Sequence, residues 1–407
     1  MTMEMFVKRL AQPWMVLAAM LAMASGACPG QAPAPAANLG DTAYALEQQG
    51  KNAEAEAAWR EFLKVHPSSA DAYAHLGLLE ARQEHYKEAA PLYRKALALN
   101  PAMPGLRLNL GLALFKSGAL QEAVQTFTIL LKSEPPSSAE ALRLITLTGL
   151  AYYGLGEYAA AVPYLKRATD ADKQNLPFRL ALAHSCLWSK QYQCVLDVYH
   201  EILTLNAESA EADMLAGEAL DEMKDPAGAA QQFRAAVKAD PREPNVHFGL
   251  AYLLWGMMQY DEAAKEFQAE LANNPDNAQA MVYLADTDMK LSRPEAAPPL
   301  LEKAIRINPQ IELAHLDLGI LWSDAGRKVD ALRELKIAEK ISPNDQNVHW
   351  RLGRFYQAAG RRDEAKVEFD KTRRLQKAED ATVFKKLHEA QEKGKPAAEN
   401  PDAPLSQ

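Results

Sequence analysis

Proline recurs along this chain at a fixed distance. Pro67, Pro101 and Pro135 are spaced by 34 residues, and so are Pro241, Pro275, Pro309 and Pro343. The gap between the two runs is 106 residues, three periods plus four, so one four-residue insertion interrupts an otherwise constant phase. The text around the prolines repeats as well: YKEAAPLYRKALALNP at 86–101 returns as PEAAPPLLEKAIRINP at 294–309. A period of this length argues against one central core and implies a stack of similar units, each burying its apolar face on the next.

With each proline at position 32, residues 36–379 divide into ten units; Lys173, Ala207 and Lys377 stand where proline is missing. Position 8 is always small: Ala43, Gly77, Gly111, Gly149, Ala183, Gly217, Ala251, Ala285, Gly319 and Gly353. Position 20 is alanine in nine units, with Val195 the exception, and position 24 is always large, from Trp59 to Phe369. Positions 4, 7, 8 and 11 share one face of a 3.6-residue helix, and positions 20, 24 and 27 share a face of a second. Between them, near position 15, stand Gly50, Gly118, Gly156, Gly326 and Gly360. The unit is therefore a helical hairpin whose two backbones approach closely over the small residues.

The prolines fit this reading. Pro104, Pro177 and Pro244 are expected to open first helices, where a missing N–H costs nothing. Pro91, Pro163, Pro298 and Pro299 are expected near the first turn of second helices. Ser, Asp or Asn often follows position 32 and can cap the next helix. The insertion, PPSSAEA, is expected to lengthen the first helix of unit four by about one turn.

The pattern resembles the tetratricopeptide repeat family over 36–379. The resemblance implies an all-α fold, a right-handed α-solenoid of helix-turn-helix repeats. The stretch at 380–393, with Val383, Phe384 and Leu387 on one face, is expected to form a C-terminal capping helix, and 394–407 a disordered tail.

The start of the chain is of another kind. Lys8 and Arg9 precede an apolar run over 14–24 and then small residues, the order of a secretory signal at 1–27. Cleavage after Ala27 would leave Cys28 first, which resembles a bacterial lipoprotein site, although Ser25 stands where leucine is usual. Residues 28–35 then read as a Pro/Ala tether. The expectation is an exported protein, periplasmic or secreted, with an outer-membrane lipoprotein as the alternative. Cys186 and Cys194 could bond in an oxidising compartment, but buried free thiols are the expected state.

Acidic and basic residues are mixed, and the net charge is -8. Nucleic acid is not an expected partner, since phosphate binding needs a clustered positive surface. No HExxH, Walker or GxSxG motif occurs, and GLGEYA at 154–159 falls on a hairpin turn. His247, His315 and His349 all occupy position 4, a packing position. No catalysis, cofactor or metal is expected.

Positions 2, 5, 9, 12 and 13 of the first helix point away from the packing face. The family resemblance implies that they line a concave groove. Candidate groove residues are Leu112, Phe115, Tyr153, His184, Leu187, Trp188, Phe248, Tyr252, Trp255, Tyr283, Met289, Trp350 and Arg354. Acidic residues punctuate the same helices: Glu218, Asp221 and Glu222 in unit six, Asp317 and Asp324 in unit nine. A partner with basic residues among apolar ones matches this surface. The carboxylate clamp of chaperone-binding members is not supported: Asn109 and Arg143 fit it, but Ala74, Leu78 and Leu147 do not. The expected function is a protein or peptide scaffold, with a self-associating protein or an accessory subunit of an envelope complex as alternatives.

Overall fold

The computed structural model describes residues 39–205 and 209–393, with side chains as far as 382. Among the described residues there are twenty α-helices and no strand. They fall into two compact bodies, one ending at Asp240 and one beginning at Pro241. The first holds six hairpins: α1 (Leu39–Gln48) with α2 (Asn52–Val65), α3 (Ala70–Arg82) with α4 (Tyr86–Leu99), and α5 (Leu106–Lys116) with α6 (Leu120–Leu131). It continues through α7 (Ala139–Leu155) with α8 (Tyr158–Ala171), α9 (Leu176–Trp188) with α10 (Tyr192–Thr204), and α11 (Ala210–Glu222) with α12 (Pro226–Ala239). The second body holds α13 (Val246–Gly256) with α14 (Tyr260–Asn273), and α15 (Ala278–Lys290) with α16 (Ala297–Ile307), a 3₁₀ turn leading into α16. It ends with α17 (Glu312–Asp324) and α18 (Lys328–Ile341), then α19 (Gln346–Ala358) and α20 (Arg362–Lys393). Within a body, each second helix also packs on the first helix of the next repeat.

The closeness inside each hairpin has a direct cause. A Cβ added at Gly77, Gly111, Gly319 or Gly353 would come within 2.6–2.7 Å of the position-24 side chain of the same repeat, Tyr93, Phe127, Leu335 or Phe369. Position 24 thus lies flat over position 8, and the space is already full. The alanines at position 20 are wholly or almost wholly buried beside it.

Position 15 ends every first helix in the left-handed region. Five repeats use glycine there, and the other five use Glu84, Lys190, Lys224, Met258 and Ser292, with φ between 58 and 67°. The reason is the helix stop itself. The N–H of His85 reaches the carbonyl of Glu80 and that of Glu84 reaches Ala81, a pattern that requires positive φ at position 15. Five residues that carry side chains accept that conformation because the following helix must turn back onto position 8.

The caps follow position 32 in most repeats. Ser69, Asn175, Ser209, Asn277 and Asp345 each accept a hydrogen bond from the backbone N–H three residues on, each worth about 1 kcal/mol. In repeat four Ser138 caps α7, which has 17 residues against 13 in α3.

The prolines need two corrections. Pro104 and Pro244 do not open their helices, because Gly105 and Asn245 behind them take the left-handed conformation and α5 and α13 start at the next residue. Pro91 and Pro163 stand inside α4 and α8, at the sixth residue, rather than in the first turn. The stretch expected as a separate cap, 380–393, is the uninterrupted continuation of α20, with no breaker between them. The side chains of Val383, Phe384 and Leu387 lie outside the described ones, as do the expected signal, tether, Cys28 and tail.

The cysteines need a third correction. Cys186 and Cys194 are bonded to each other rather than free, tying α9 to α10 across the turn of repeat five. Their Cα atoms lie 5.8 Å apart, within the range a disulfide spans. This is the repeat whose position 20 is Val195 instead of alanine.

Candidate functional site

The candidate groove residues separate into two classes. Phe115, Tyr153 and Leu187 are buried, at 8% exposure each, and belong to the core of the first body. They cannot serve as exposed contact surface, because α5, α7 and α9 stand in a row and the side chains between them fill the gaps. Leu112 is half-buried against the same core. In the second body Met289 is half-buried against its own core in the same way.

The rest reach the surface. In the first body Trp188 is 63% exposed at the end of α9 and stacks on Tyr158 at 6.1 Å between ring centres. Tyr158 in turn meets the edge of Tyr153, and His184 bonds Glu211 of the next repeat at 2.9 Å. Tyr158 opens a second helix, so the register of the first helices gives no sign of it.

In the second body α13 and α15 build an aromatic wall. Tyr252 is 45% exposed and lies between Phe248 and Trp255, with both of which it is stacked. Tyr283 closes on Tyr252 and Trp255 edge to face, at 5.1 and 5.2 Å. Burial, the neighbouring Tyr252 and the acidic groups nearby push its phenol up to about 12. Trp350 of α19 is partly exposed and carries the guanidinium groups of Arg351 and Arg354 over its ring.

Carboxylates stand beside this wall. The indole N–H of Trp255 donates to Asp286 Oδ2 at 2.6 Å, and Lys290 Nζ lies 3.8 Å from the other oxygen. Asp286 occupies position 9, a groove position, and was legible as such. Glu312 and Asp317 lie on α17, at positions 1 and 6 of their repeat. Asp317 is 3% exposed and its Oδ2 has no hydrogen-bond partner, nor does Glu312 Oε1. Burial pushes the Asp317 carboxyl well above its ordinary value, and the charges of Asp286 and Glu312 add to the effect. Burial, with Asp345 nearby, pushes Glu312 up to about 7.

That shift sets a pH dependence. An acid with a raised folded pKa binds its proton more tightly in the native state, so its contribution to stability is lost as pH rises from the ordinary value of 4.5 through about 7. Glu312→Gln removes the ionisation. The variant is expected to gain about 1–2 kcal/mol over the wild type at pH 8, after discounting for solvent screening of a half-buried group, and nothing at pH 4.5. Urea unfolding at the two pH values measures the difference, and an equal gain at both would contradict it.

The position-4 histidines are more than packing. His247, His315 and His349 pair with Glu266, Glu334 and Glu368, always 19 residues on, at 2.6, 2.7 and 2.7 Å. Nε2 of His315 and of His349 donates to the carbonyl of the preceding repeat's proline, Pro309 or Pro343. Glu339, His349 and Glu368 also bring one ligand atom each within 4.8 Å of one another, a spacing that could hold a metal ion. Protein cations already serve these carboxylates: Lys336 and Lys371 reach Glu339 at 2.7 and 3.0 Å, and Lys371 reaches Glu368 at 3.4 Å. The cluster is a charge-balanced joint between repeats nine and ten.

No described helix is long and apolar enough to cross a membrane. Comparison with known proteins finds matches to the tetratricopeptide repeat over 41–104, 196–244 and 248–310, and further matches to it over 80–147 and 142–175. Among curated proteins the chain is 24% identical over 313 residues to the BBSome complex member BBS4 of Bos taurus, covering 77% of this chain and 59% of that one. It is 22% identical over 298 residues to the Arabidopsis thaliana protein CTR9 homolog, covering 71% of this chain and 27% of that one. It therefore spans less than two thirds of either relative. Among solved structures, MamA is 21% identical with a TM-score of 0.36, covering 40% of this chain and 96% of its own. YrrB, described as a TPR protein with an unusual peptide-binding site, is 20% identical with a TM-score of 0.37, covering 47% of this chain and 96% of its own. The repeat matches take in more than half of the residues, and they agree with the hairpins, the small position 8 and the large position 24: the chain belongs to the tetratricopeptide repeat family.

Proposed function

We propose that the protein is an exported, non-catalytic scaffold that holds a peptide or protein partner against its first helices. The observation that carries this reading is the exposed aromatic surface on those helices, Trp188 in one body and Tyr252, beside the half-buried Trp255, in the other. Aromatic side chains left on a surface beside fixed polar groups are the usual composition of a contact site. The Cys186–Cys194 bond suits an oxidising compartment and so favours export. Lipidation at Cys28 would add a membrane anchor, and mass spectrometry of the mature N-terminus distinguishes the two forms.

The test uses one exposed candidate ring from each body. Trp188 and Tyr252 are 63 and 45% exposed, so changing both to alanine removes contact surface at little cost to the fold. Partner recovery from an envelope fraction is expected to fall about 30-fold or more in the double variant, as for the loss of a binding hot spot. Unchanged recovery, with helix content intact by circular dichroism, would count against this face. Light scattering of the mature chain separates a stable homo-oligomer from a monomer.

A further inference from the structure

Three successive first helices of the second body place Tyr283, Asp317 and Arg351 at the same register, position 6 of repeats eight, nine and ten. The middle member is the anomaly. Asp317 is only 3% exposed, yet one of its oxygens has no partner. A buried carboxylate left this way is costly unless a cation or a proton compensates it. Two more acids surround it: Asp286, also buried, and Glu312, itself with an unpartnered oxygen. Lys290 and Arg351 are the opposing charges. Lys290 is exposed and reaches Asp286 only at 3.8 Å, and the Nε of Arg351 finds no hydrogen-bond partner while its guanidinium lies over the Trp350 ring. Three carboxylates are thus served by two cations, neither of which closes on Asp317.

The wall beside them narrows the chemistry. Tyr252 offers an exposed ring, and Trp255 and Tyr283 pack around it, with the Trp255 indole pinned to Asp286. An aromatic face next to carboxylates suits a cation that is planar, stacks, and donates several hydrogen bonds in a fork. A guanidinium does all three, and an ammonium does not stack.

We propose that the carboxylates of Asp286, Glu312 and Asp317, walled by Tyr252, Trp255 and Tyr283, receive an arginine side chain of a bound peptide. This rests on the reading of the first-helix face as a peptide site and names the residue that face selects. The incoming guanidinium stacks on Tyr252, displaces the loosely held Lys290 ammonium and pairs with the acids. In the free protein burial favours the protonated forms of Glu312 and Asp317, which keeps these two acids tolerable until the ligand arrives.

Two measurements on the full chain test it. In the first, blocked hexapeptide libraries with one fixed position, arginine, lysine, citrulline or leucine, and apolar residues elsewhere, are titrated by fluorescence anisotropy. Arginine is expected to bind about tenfold or more tighter than citrulline, its neutral isostere, with lysine between them. The preference is expected to vanish in Asp317→Asn. In the second, Asp317→Asn without ligand is expected to melt higher by about 2–4 °C, because an uncompensated buried charge has been removed. Arginine binding no tighter than citrulline, or a preference that survives Asp317→Asn, overturns the proposal. So does a lower melting point for Asp317→Asn, since that would mean Arg351 already satisfies the acid within the protein. If all libraries bind alike and Tyr252→Ala abolishes that binding, the peptide face stands and the arginine pocket alone falls.

Discussion

His349→Ala is expected to destabilise repeats nine and ten by about 3–5 kcal/mol. His349 and Glu368 are 2 and 4% exposed and 2.7 Å apart, and His349 Nε2 also donates to the Pro343 carbonyl at 2.8 Å. Removing the ring leaves a buried carboxylate and a carbonyl without their donor, and opens a cavity between α18, α19 and α20. Lys371, 3.4 Å from Glu368, compensates part of the charge, which favours the lower end of the range. The same change at His247 is expected to cost about 1 kcal/mol, since its partner Glu266 has a quarter of its side chain in water. Repeat arrays transmit such losses mainly to neighbours. Hydrogen exchange should therefore show lost protection in α19 and α20, and little change in the first body. Equal effects at the two histidines would show that burial does not set the strength of this joint.

Phe127→Ala is expected to cost about 3–5 kcal/mol, because the ring has no solvent exposure and its loss leaves a cavity in the core. Its coupling to Gly111 gives a sharper expectation. In the wild type, Gly111→Ala would put a Cβ 2.6 Å from the Phe127 ring and 3.2 Å from Thr126 Cγ2, an overpacking cost of about 1–3 kcal/mol. With the ring gone, the two shortest contacts disappear and only Thr126 Cγ2 at 3.2 Å remains of the three, while alanine is favoured over glycine inside a helix by about 1 kcal/mol. Gly111→Ala should then change sign, from destabilising to stabilising. Urea unfolding of the four proteins of this cycle measures it, and additive effects would show that position 24 does not cover position 8.

These two variants probe features of different visibility. The 8–24 contact could be read directly from the chain. A small residue and a large one recur 16 positions apart in ten units, and a helix folded back on its neighbour is what brings such a pair together. The caps at Ser69, Asn277 and Asp345 were equally legible, since side chain and backbone partner lie three residues apart. The histidines showed their register but not their partners. An imidazole and a carboxylate 19 residues apart meet only once two helices are folded back on each other. The cluster of Asp286, Glu312 and Asp317 was less visible still. Its three carboxylates come from different positions of two repeats, and no single unit contains the pattern.

Everything that repeats was therefore written in the amino-acid order alone: the period, the hairpin, the contact of small with large, and the family. Local spacing and hydrophobic pattern act within one unit, and ten copies amplify them. Which surface residues stay on the surface was settled only by the packed repeats. Phe115, Tyr153 and Leu187 stand at position 12 like the partly exposed Trp255, but are covered by adjoining helices. Packing also determined that Cys186 meets Cys194, and that Asp317 is buried with one oxygen unpartnered. Burial depends on what the next repeat presents, and that is a property of the stack and not of the unit.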